Sequence, residues 1–424
     1  MNPLSDWYQG VRADWPMVPL RGVAAMGTGH TPDRTKPEYW ENCTIPWVTA
    51  ADLSARPSEF EPLTETAQHV SHLGVANSSA VVHPAETVMF CRTASVGLLT
   101  ITDKPMATTQ AFVTWTAGPE LLPRYLLFSI AAMRPELMRI AYGSTHLTIY
   151  MPDLKALEIP APPLDEQRRI ADFLDDQVAR LDHTQQKTRS QRSLSLERFR
   201  TSLSHLTLER NTGERRETPL RHLFDYERNG IWGGEPSGGP DDISCVRVAD
   251  FDRGRFVANL APTVRSVPST QRAPRLLRRG DVLLEKSGGT ADKPVGCAVS
   301  YDSDEPAVCS NFVAVLRPRR SVHARFAALV MAALYQTRQN GPFVTQTTGI
   351  QNLDSNRYLG LTVGLPSQEK QAAIAEELDA QGLATQEALA HLARRSDLIE
   401  ERKQALITAA VTGQFDVSTA RSVG

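Results

Sequence analysis

The clearest pattern of apolar and polar positions in this chain is helical, and it occurs twice. Residues 167–177 reappear as residues 371–381 with six of eleven positions identical. In both copies an isoleucine and a leucine stand four residues apart, which is the spacing of one face of a helix. An amphipathic helix must bury its apolar face, so each copy is predicted to pack against the other.

Each copy begins a long helical segment. Residues 164–208 contain neither Gly nor Pro, so one long helix is predicted in spite of a polar stretch at 182–193. In residues 367–411 a series of positions from Ile374 to Ala409 steps by four and three, as in a coiled-coil seam, although several of its members are polar. Helices of about 40 residues would form rods of roughly 60 Å. The predicted interface residues are Ile170, Leu174, Leu181, Phe199, Leu203, Ile374, Leu378, Leu392, Ile399 and Leu406.

The segment before each helix has a different character. Both alternate short strand-like runs with turns rich in Gly and Pro, and each contains one helical patch, at 123–138 and at 322–336. The strands are predicted at 45–49, 80–82, 88–90, 111–114, 244–248, 281–284 and 312–316. Local matches connect the two segments: Val48, Ala51 and Asp52 correspond to Val246, Ala249 and Asp250.

These patterns predict an α+β protein with a pseudo-two-fold internal repeat. Two similar mixed α/β domains are separated by two long antiparallel helices that form a coiled coil. The predicted boundaries are 1–163 for the first globular domain, 164–213 for the first helical spacer, 214–366 for the second globular domain, 367–414 for the second spacer, and 415–424 for a C-terminal tail.

Composition narrows the class of protein. No leader-like N-terminal pattern is visible and no apolar stretch is long enough to span a bilayer, so a cytoplasmic location without a membrane is expected. The five cysteines are scattered and form no C-x-x-C pair, which favours reduced thiols. The net charge is only -2, and the second globular segment is the basic one. Any nucleic acid must therefore be bound by local patches on loops.

Motifs for catalysis are missing. The sequence has no Asn-Pro-Pro-Tyr-like or Asp-Pro-Pro-Tyr-like methyltransferase motif, no G-x-G-x-x-G that opens a β-α unit and no G-x-x-x-x-G-K-[ST]. His69 and His72 lack a third metal ligand nearby in sequence, and Glu285 and Lys286 have the residue types of a nuclease site at the wrong spacing. We expect no catalytic residue, no metal and no cofactor in this chain.

The order of the segments resembles the specificity subunit of a type I restriction-modification system, in which target-recognition domains alternate with helices. The resemblance extends over essentially the whole chain. It is carried by Gly29-His-Thr-Pro32, Tyr39-Trp40, Ile45-Pro-Trp-Val-Thr-Ala-Ala-Asp-Leu53, Ile159-Pro-Ala-Pro-Pro-Leu-Asp-Glu-Gln-Arg-Arg-Ile170 and Leu398-Ile-Glu-Glu-Arg-Lys-Gln-Ala-Leu-Ile-Thr-Ala-Ala-Val-Thr-Gly413. The second domain departs from it, with Gly230-Ile-Trp-Gly-Gly234 and Cys245-Val-Arg247 in place of the Thr-Pro and Trp-Val-Thr pieces.

The resemblance implies a subunit without catalytic activity that reads a split target in double-stranded DNA. Each domain would read one half, and the helices would fix the spacer. Two modification (methyltransferase) subunits and two ATP-dependent restriction subunits are the implied partners, and S-adenosylmethionine, ATP and Mg²⁺ are expected in those partners. Loop residues with hydrogen-bonding side chains are the DNA-binding candidates: His30, Thr31, Lys36, Arg92, His146, Arg228, Asn229, Arg247, Lys286, Lys293, Gln351 and Asn352.

Two other interpretations remain open at the level of sequence. One is a DNA-modifying or DNA-cleaving enzyme with a cryptic site, which requires a cluster of acidic or nucleophilic residues that the sequence does not display. The other is a stand-alone DNA-binding or scaffold protein that uses its helices only to oligomerise. Co-purification with a methyltransferase partner separates this last interpretation from that of a specificity subunit.

Overall fold

The computed structural model describes residues 7, 10–143, 147–209, 215–259, 263–290, 292–347 and 349–417. The chain divides into two compact units. The first unit comprises Met1–Arg189 and Arg394–Gly424, and the second comprises Ser190–Ala393. Each unit therefore contains one globular segment together with part of both long helices. The boundaries of the five segments predicted from the sequence remain a prediction.

The first unit contains a mixture of short strands and helices up to the first long helix. In chain order its elements are β1 (Met17–Pro19), α1 (Leu20–Val23), β2 (Ala24–Thr28), β3 (Ile45–Val48), α2 (Ala50–Ser54), β4 (His69–Val70), α3 (His72–Ala76), β5 (Val88–Cys91), β6 (Leu99–Ile101), β7 (Ala107–Thr108), β8 (Phe112–Ala117), α4 (Pro123–Arg139), α5 (Met151–Lys155), β9 (Glu158–Pro160) and α6 (Leu164–Leu208).

Three small sheets organise these strands. An antiparallel four-stranded sheet has the order β2-β8-β5-β6, a three-stranded sheet has the order β4-β3-β7 with β3 and β7 parallel, and β1 pairs with β9. The core helix α4 is buried from Tyr125 to Met133 and shares one apolar cluster with the four-stranded sheet. Burial of this uniformly apolar face is the main stabilising contribution to the unit.

The second unit contains equivalent strands and helices and several additional strands. Its elements are β10 (Arg216–Pro219), β11 (Phe224–Asn229), β12 (Asp242–Val246), β13 (Phe251–Asp252), β14 (Val257–Ala258), β15 (Val264–Ser266), α7 (Ser269–Arg272), β16 (Val282–Glu285), β17 (Ser287–Gly288), β18 (Ala298–Tyr301), β19 (Ala307–Cys309), β20 (Val313–Pro318), α8 (Ala324–Gln336), β21 (Val344–Thr347), β22 (Ile350–Leu353), α9 (Ser355–Tyr358), β23 (Thr362–Leu365) and α10 (Gln368–Val411).

The sheets of the second unit follow the same plan. The order β11-β20-β16-β18 reproduces β2-β8-β5-β6 and is extended by β14 and β13. The order β15-β12-β19 reproduces β4-β3-β7, including the parallel pair, and β10 with β23 reproduces β1 with β9. A further sheet, β17-β22-β21, contains a hairpin. The internal duplication inferred from the helices thus extends to the globular segments.

The two long helices pack against each other within each unit. In the first unit Gln185 of α6 donates to Ser396 of α10 at 2.6 Å, and Asp182 accepts from Lys403 at 3.0 Å, so residue numbers rise along one helix as they fall along the other. In the second unit Phe199 lies against Gly382. The predicted antiparallel helix pair is confirmed by this packing.

The long helices also contribute to the core of each globular segment. Ile170, Leu174 and Ile407 join the cluster around α4, whereas Leu203 and Leu378 join the cluster around α8. Of the other predicted interface residues, Ile399 is buried, and five are half-buried: Leu181, Phe199, Ile374, Leu392 and Leu406. Whether these side chains form the interface as a seam stays a prediction.

A buried glutamine attaches the start of each long helix to the core helix of its unit. Gln167 accepts from the backbone N–H of Leu122 at 2.9 Å and donates to the Pro162 carbonyl at 2.9 Å. Gln371 accepts from the N–H of His323 at 2.8 Å and donates to the Pro366 carbonyl at 2.8 Å. Both glutamines are about 1% exposed. These two identical positions of the repeat therefore have the same structural role.

One predicted strand is wrong. Residues 80–82 form no strand, because Val81 and Val82 are exposed and no apolar surface covers them. The other predicted strands and both helical patches are present. No helix among the described residues is long and apolar enough to cross a bilayer.

Candidate nucleic-acid interface

A glycine brings the loop after β2 against strand β7 in the first unit. A Cβ atom added at Gly29 would lie 2.0 Å from the carbonyl oxygen of Thr108, so no larger residue fits there without movement of the backbone. The next two residues are fixed by hydrogen bonds. His30 N–H donates to Thr108 O at 3.0 Å, and Thr31 Oγ1 lies 2.8 Å from Gln110 Oε1. The Thr31 side chain is thereby placed beside Gln110, and the backbone of His30 is fixed one residue before it.

Arg92 reaches the same place from the end of β5. Its N–H donates to the Ala111 carbonyl at 2.8 Å, and its carbonyl accepts from the Ile149 N–H at 2.9 Å. Its guanidinium donates to the backbone carbonyl of Gln110 at 3.3 Å. His30, Thr31, Arg92 and Gln110 together form what we call the first polar edge. The structure thus brings together the candidates His30, Thr31 and Arg92, although His30 and Arg92 are 62 positions apart in the sequence.

Tyr142 and Thr148 lie next to this edge. Tyr142 and Thr148 exchange two backbone hydrogen bonds of 2.9 and 2.8 Å, and Thr148 also bridges to Thr93, the neighbour of Arg92. The rings of Tyr142 and Tyr150 lie 5.9 Å apart and both are largely exposed. The candidate His146 lies outside the described residues.

The second unit contains an equivalent glycine. A Cβ atom at Gly230, directly after β11, would lie 2.2 Å from the carbonyl oxygen of Ser310. Ile231 N–H donates to Cys309 O at 2.7 Å, as His30 does to Thr108. The sequence Gly230-Ile-Trp therefore occupies the position of Gly29-His-Thr, although only the glycine is shared.

Lys286 occupies the position of Arg92. It follows β16, its N–H donates to the Phe312 carbonyl at 2.8 Å, and its carbonyl accepts from the Leu353 N–H at 2.8 Å. Its ammonium donates to Asn229 Oδ1 at 2.7 Å, and partial burial lowers the pKa of Lys286. A cationic side chain is thus held at the same point of both copies of the fold. No comparison of loop sequences alone would align these two residues.

Amide side chains surround Lys286. Asn352 Oδ1 accepts from Ser287 Oγ at 2.7 Å, and Gln351 Oε1 accepts from Val295 N–H at 3.1 Å. Both belong to β22, next to β17. Asn229, Lys286, Gln351 and Asn352 form what we call the second polar edge. Amides and cations are the side-chain types that hydrogen-bond to the edges of DNA bases.

The remaining candidates lie apart from the two polar edges or make other contacts. Lys293 is exposed in the turn that Thr290 closes, and Arg228 is exposed on β11 over the Tyr226 ring. Lys36 is exposed and donates to Tyr39 Oη at 3.3 Å.

Arg247 makes an ion pair with Asp250 at 3.2 Å. Asp250 also accepts from the Arg247 N–H at 2.7 Å, as Asp52 accepts from the Thr49 N–H at 2.8 Å. The matched aspartates of the repeat therefore cap the same short turn, and half of Arg247's hydrogen-bonding capacity serves that turn.

The acidic neighbour of Lys286 has a structural role. Glu285 is 1% exposed and pairs with Arg253 at 3.0 Å. Burial raises the pKa of Glu285, and the charge of Arg253 opposes that rise. Among the described residues no group of three or more His, Cys, Asp or Glu side chains is arranged to hold a metal ion.

One residue that the sequence analysis did not select is Arg34. It is exposed, and its guanidinium lies 4.5 Å from the centre of the Trp40 ring and 5.3 Å from that of Trp47. Two tryptophans follow Arg34 at short distance in the sequence, but only the fold places both rings beside its guanidinium.

Part of this chain is similar in sequence to known proteins. Residues 12–190 match the family model described as "Type I restriction modification DNA specificity domain". The specificity subunit of the type I restriction enzyme MjaIX from Methanocaldococcus jannaschii is 29% identical over 163 residues, which are 38% of this chain and 37% of the relative. The EcoR124I/EcoR124II specificity subunit from Escherichia coli is 26% identical over 159 residues, 35% of this chain and 37% of the relative.

The sequence matches therefore span only about 37% of the length of these curated relatives. Likeness of fold is more extensive. A chain from a solved structure described as "Structural basis underlying complex assembly and conformational transition of the type I R-M system" has a TM-score of 0.70 at 18% identity, with 96% of this chain and 99% of that chain covered. The crystal structure of the HsdS subunit from Thermoanaerobacter tengcongensis has a TM-score of 0.50 at 18% identity, with 96% and 98% covered. The part of the chain up to residue 190 thus matches a type I restriction-modification DNA specificity domain, and the two solved structures show a similar fold over nearly the whole chain.

Proposed function

We propose that this chain is the DNA-reading subunit, without catalytic activity of its own, of a type I restriction-modification complex, and that it recognises a target in two parts. The observation that carries the proposal is the duplication of the polar edge. Arg92 and Lys286 make the same two backbone contacts after equivalent strands, next to Gly29 and Gly230. Two copies of one reading surface are suited to two half-sites.

Each polar edge offers the chemistry that base recognition requires. Arg and Lys donate to guanine O6 and N7, and Asn and Gln pair with the N6 and N7 of adenine in the major groove. The second edge combines Lys286 with three amides, whereas the first combines Arg92 with His30, Thr31 and Gln110. Because their chemistry differs, the two edges would read different half-sites. The exposed Lys36, Arg228 and Lys293 and the half-buried Arg247 would add base or phosphate contacts.

The long helices α6 and α10 would set the spacer between the half-sites. Half-sites read from one face of B-DNA lie about one turn, roughly 34 Å, apart. Helices of 45 and 44 residues are stiff elements on this length scale. Lengthening both by one turn should change the length of the unread spacer while it leaves the bases of each half unchanged.

Catalysis would reside in partner subunits. Under this proposal two methyltransferase subunits bind S-adenosylmethionine and two restriction subunits use ATP and Mg²⁺, while this chain supplies none of these sites. The alternative is a stand-alone DNA-binding or scaffold protein. Co-expression with a methyltransferase subunit distinguishes the proposal from this alternative. A complex of two methyltransferase subunits with one copy of this chain supports the proposal, and a chain that remains alone supports the alternative.

A map of N6-methyladenine in cells with the gene present and deleted tests the proposal directly. We expect one split motif to disappear on deletion. Lys286→Ala should then relax or abolish recognition in one half of the motif, and Arg92→Ala should do so in the other half. Arg320→Ala, which removes an exposed arginine before α8, is the matched control and should leave the motif unchanged. If both edge variants altered the same half, two separate reading surfaces would be excluded.

A further inference from the structure

Arg34 is held in one orientation by aromatic rings in the loop after Gly29. The Trp40 and Trp47 rings meet edge to face with centroids 5.3 Å apart, and the guanidinium lies within 5.3 Å of both centroids. Trp47 belongs to β3 and is 2% exposed, so one wall of this cradle is part of the protein core. The Arg34 side chain is therefore exposed and yet restricted.

Most of the hydrogen-bonding capacity of Arg34 is unused. Its Nη2 donates to Gln68 Oε1 at 3.2 Å, and within the residues that the structure describes this is its sole side-chain hydrogen bond. In the same residues no carboxylate lies within ion-pair distance of it, and the neighbouring Asp33 accepts from Thr35 instead. A guanidinium carries five N–H donors in one plane, so most of those of Arg34 make no hydrogen bond within the described residues.

The second unit contains a contrasting arginine on a tryptophan. Arg265 lies 4.5 Å from the centre of the Trp232 ring, but it is only 8% exposed. Its Nη1 donates to Glu235 at 2.6 Å and its Nε donates to the Trp232 carbonyl at 3.2 Å. That stack is satisfied within the protein. Arg34 differs from Arg265 because no carboxylate among the described residues neutralises its charge.

We propose that Arg34 reads a guanine in the half-site recognised by the first unit, through the O6 and N7 atoms that guanine presents in the major groove. This inference rests on the proposed function. A planar donor pair matches O6 and N7 in a bidentate fashion, and stacking fixes the plane of the donors before DNA binds. Arginine can also bind a phosphate in a bidentate fashion, but a phosphate contact would carry no preference for guanine, and the test below separates the two.

The test is a chemical double-mutant cycle on the purified methyltransferase complex that contains this chain. The initial rate of adenine methylation is measured on target duplexes in which each guanine of the first half-site is replaced in turn by 7-deazaguanine. This base lacks the N7 acceptor but retains normal pairing. The variants are Arg34→Ala and Arg34→Lys, which keeps the charge but not the planar fork. Arg21→Lys is the control, since Arg21 is an exposed arginine of α1 in the same unit.

With wild type and with Arg21→Lys, one 7-deazaguanine position should reduce the rate about tenfold or more, in line with the discrimination of a bidentate pair. With Arg34→Ala, that position should lose its effect, and other bases should be accepted there. Arg34→Lys, whose ammonium can still donate to guanine but is not fixed in one plane, should show a smaller effect than wild type. Unchanged sensitivity to 7-deazaguanine in Arg34→Ala, or an equal loss of rate on every duplex, overturns the inference. If the wild-type complex methylates no split sequence, the proposed function itself fails.

Discussion

The ammonium of Lys403 in α10 donates to the carboxylate of Asp182 in α6 at 3.0 Å, inside the first unit, where both side chains are mostly buried. Ser58 also donates to Asp182, so the globular segment takes part in this contact. Burial alone would lower the pKa of Lys403, but hydrogen bonds to Glu400 and Asp182 raise it. A buried ion pair between two helices fixes their register, because any sliding would leave one charge unpaired.

Removing one partner of this pair should destabilise the first unit. We expect Lys403→Met or Asp182→Asn to lower the free energy of unfolding by about 2 kcal/mol, because the first leaves the buried Asp182 without a cation and the second leaves Lys403 with Glu400 as its remaining carboxylate. The double variant should lose clearly less than the sum of the single variants. Urea denaturation of the four proteins measures the coupling. Strict additivity would show that Lys403 and Asp182 contribute independently.

Replacement of the buried glutamine at the start of either long helix should destabilise the unit that contains it. Gln167→Ala leaves the Leu122 N–H without its acceptor, and Gln371→Ala does the same to His323. Each should lower the free energy of unfolding by about 1–3 kcal/mol. Hydrogen exchange should accelerate at Leu122 in the first variant and at His323 in the second. Gln186→Ala, at an exposed position of α6, is the control; protection that stays unchanged in both variants would contradict the anchoring role.

A buried histidine should make the stability of the first unit depend on pH. His83 is 6% exposed and lies 3.4 Å from Thr114 Oγ1, and burial lowers its pKa below the usual 6.5. The unfolded chain therefore binds a proton before the folded chain does, as the pH falls through 6.5. The contribution of His83 to stability is present above that pH and is lost progressively down to the folded pKa.

The variant His83→Gln isolates this effect. Wild type should lose more stability than the variant between pH 7 and the folded pKa of His83, and the two curves should run parallel at higher pH. Thermal or chemical denaturation across this range measures the difference. Parallel curves throughout would mean that His83 titrates alike in the folded and unfolded chains.

The helices and the repeat could be predicted from sequence because their signals are local. The seam of apolar residues and the lack of Gly and Pro define α6 between Leu164 and Leu208 without reference to any partner. The polar edges depend on pairing between distant strands. Arg92 and Lys286 become equivalent only through the carbonyl of Ala111 in one unit and of Phe312 in the other. A pattern of residue types cannot reveal such long-range partners.

The candidate site shows the same division between local and long-range information. Arg247 was selected for its charge, yet Asp250 three residues later holds it in a turn. Arg34 is not among the sequence candidates, because its contact with the Trp47 ring depends on the core strand that carries Trp47. Residue type identifies what a side chain can bind, whereas packing decides whether it is available.

The two glycines at the polar edges provide the sharpest test of the duplicated geometry. A Cβ atom at Gly29 or Gly230 would lie 2.0 or 2.2 Å from a backbone oxygen, a distance that forces the loop away from β7 or β19. We expect Gly29→Ala to abolish recognition of one half-site and Gly230→Ala that of the other, each with a loss of about 1–3 kcal/mol in stability. In Gly22→Ala, by contrast, the new methyl group meets nothing within 4 Å, so this variant should retain both half-sites. Methylation maps and urea denaturation of the three variants measure these effects. Each clash involves a backbone oxygen, which cannot move aside as a flexible side chain can. If Gly29→Ala or Gly230→Ala kept full activity, the loop would have to bind DNA from a different position, and the predicted role of the glycine would be wrong.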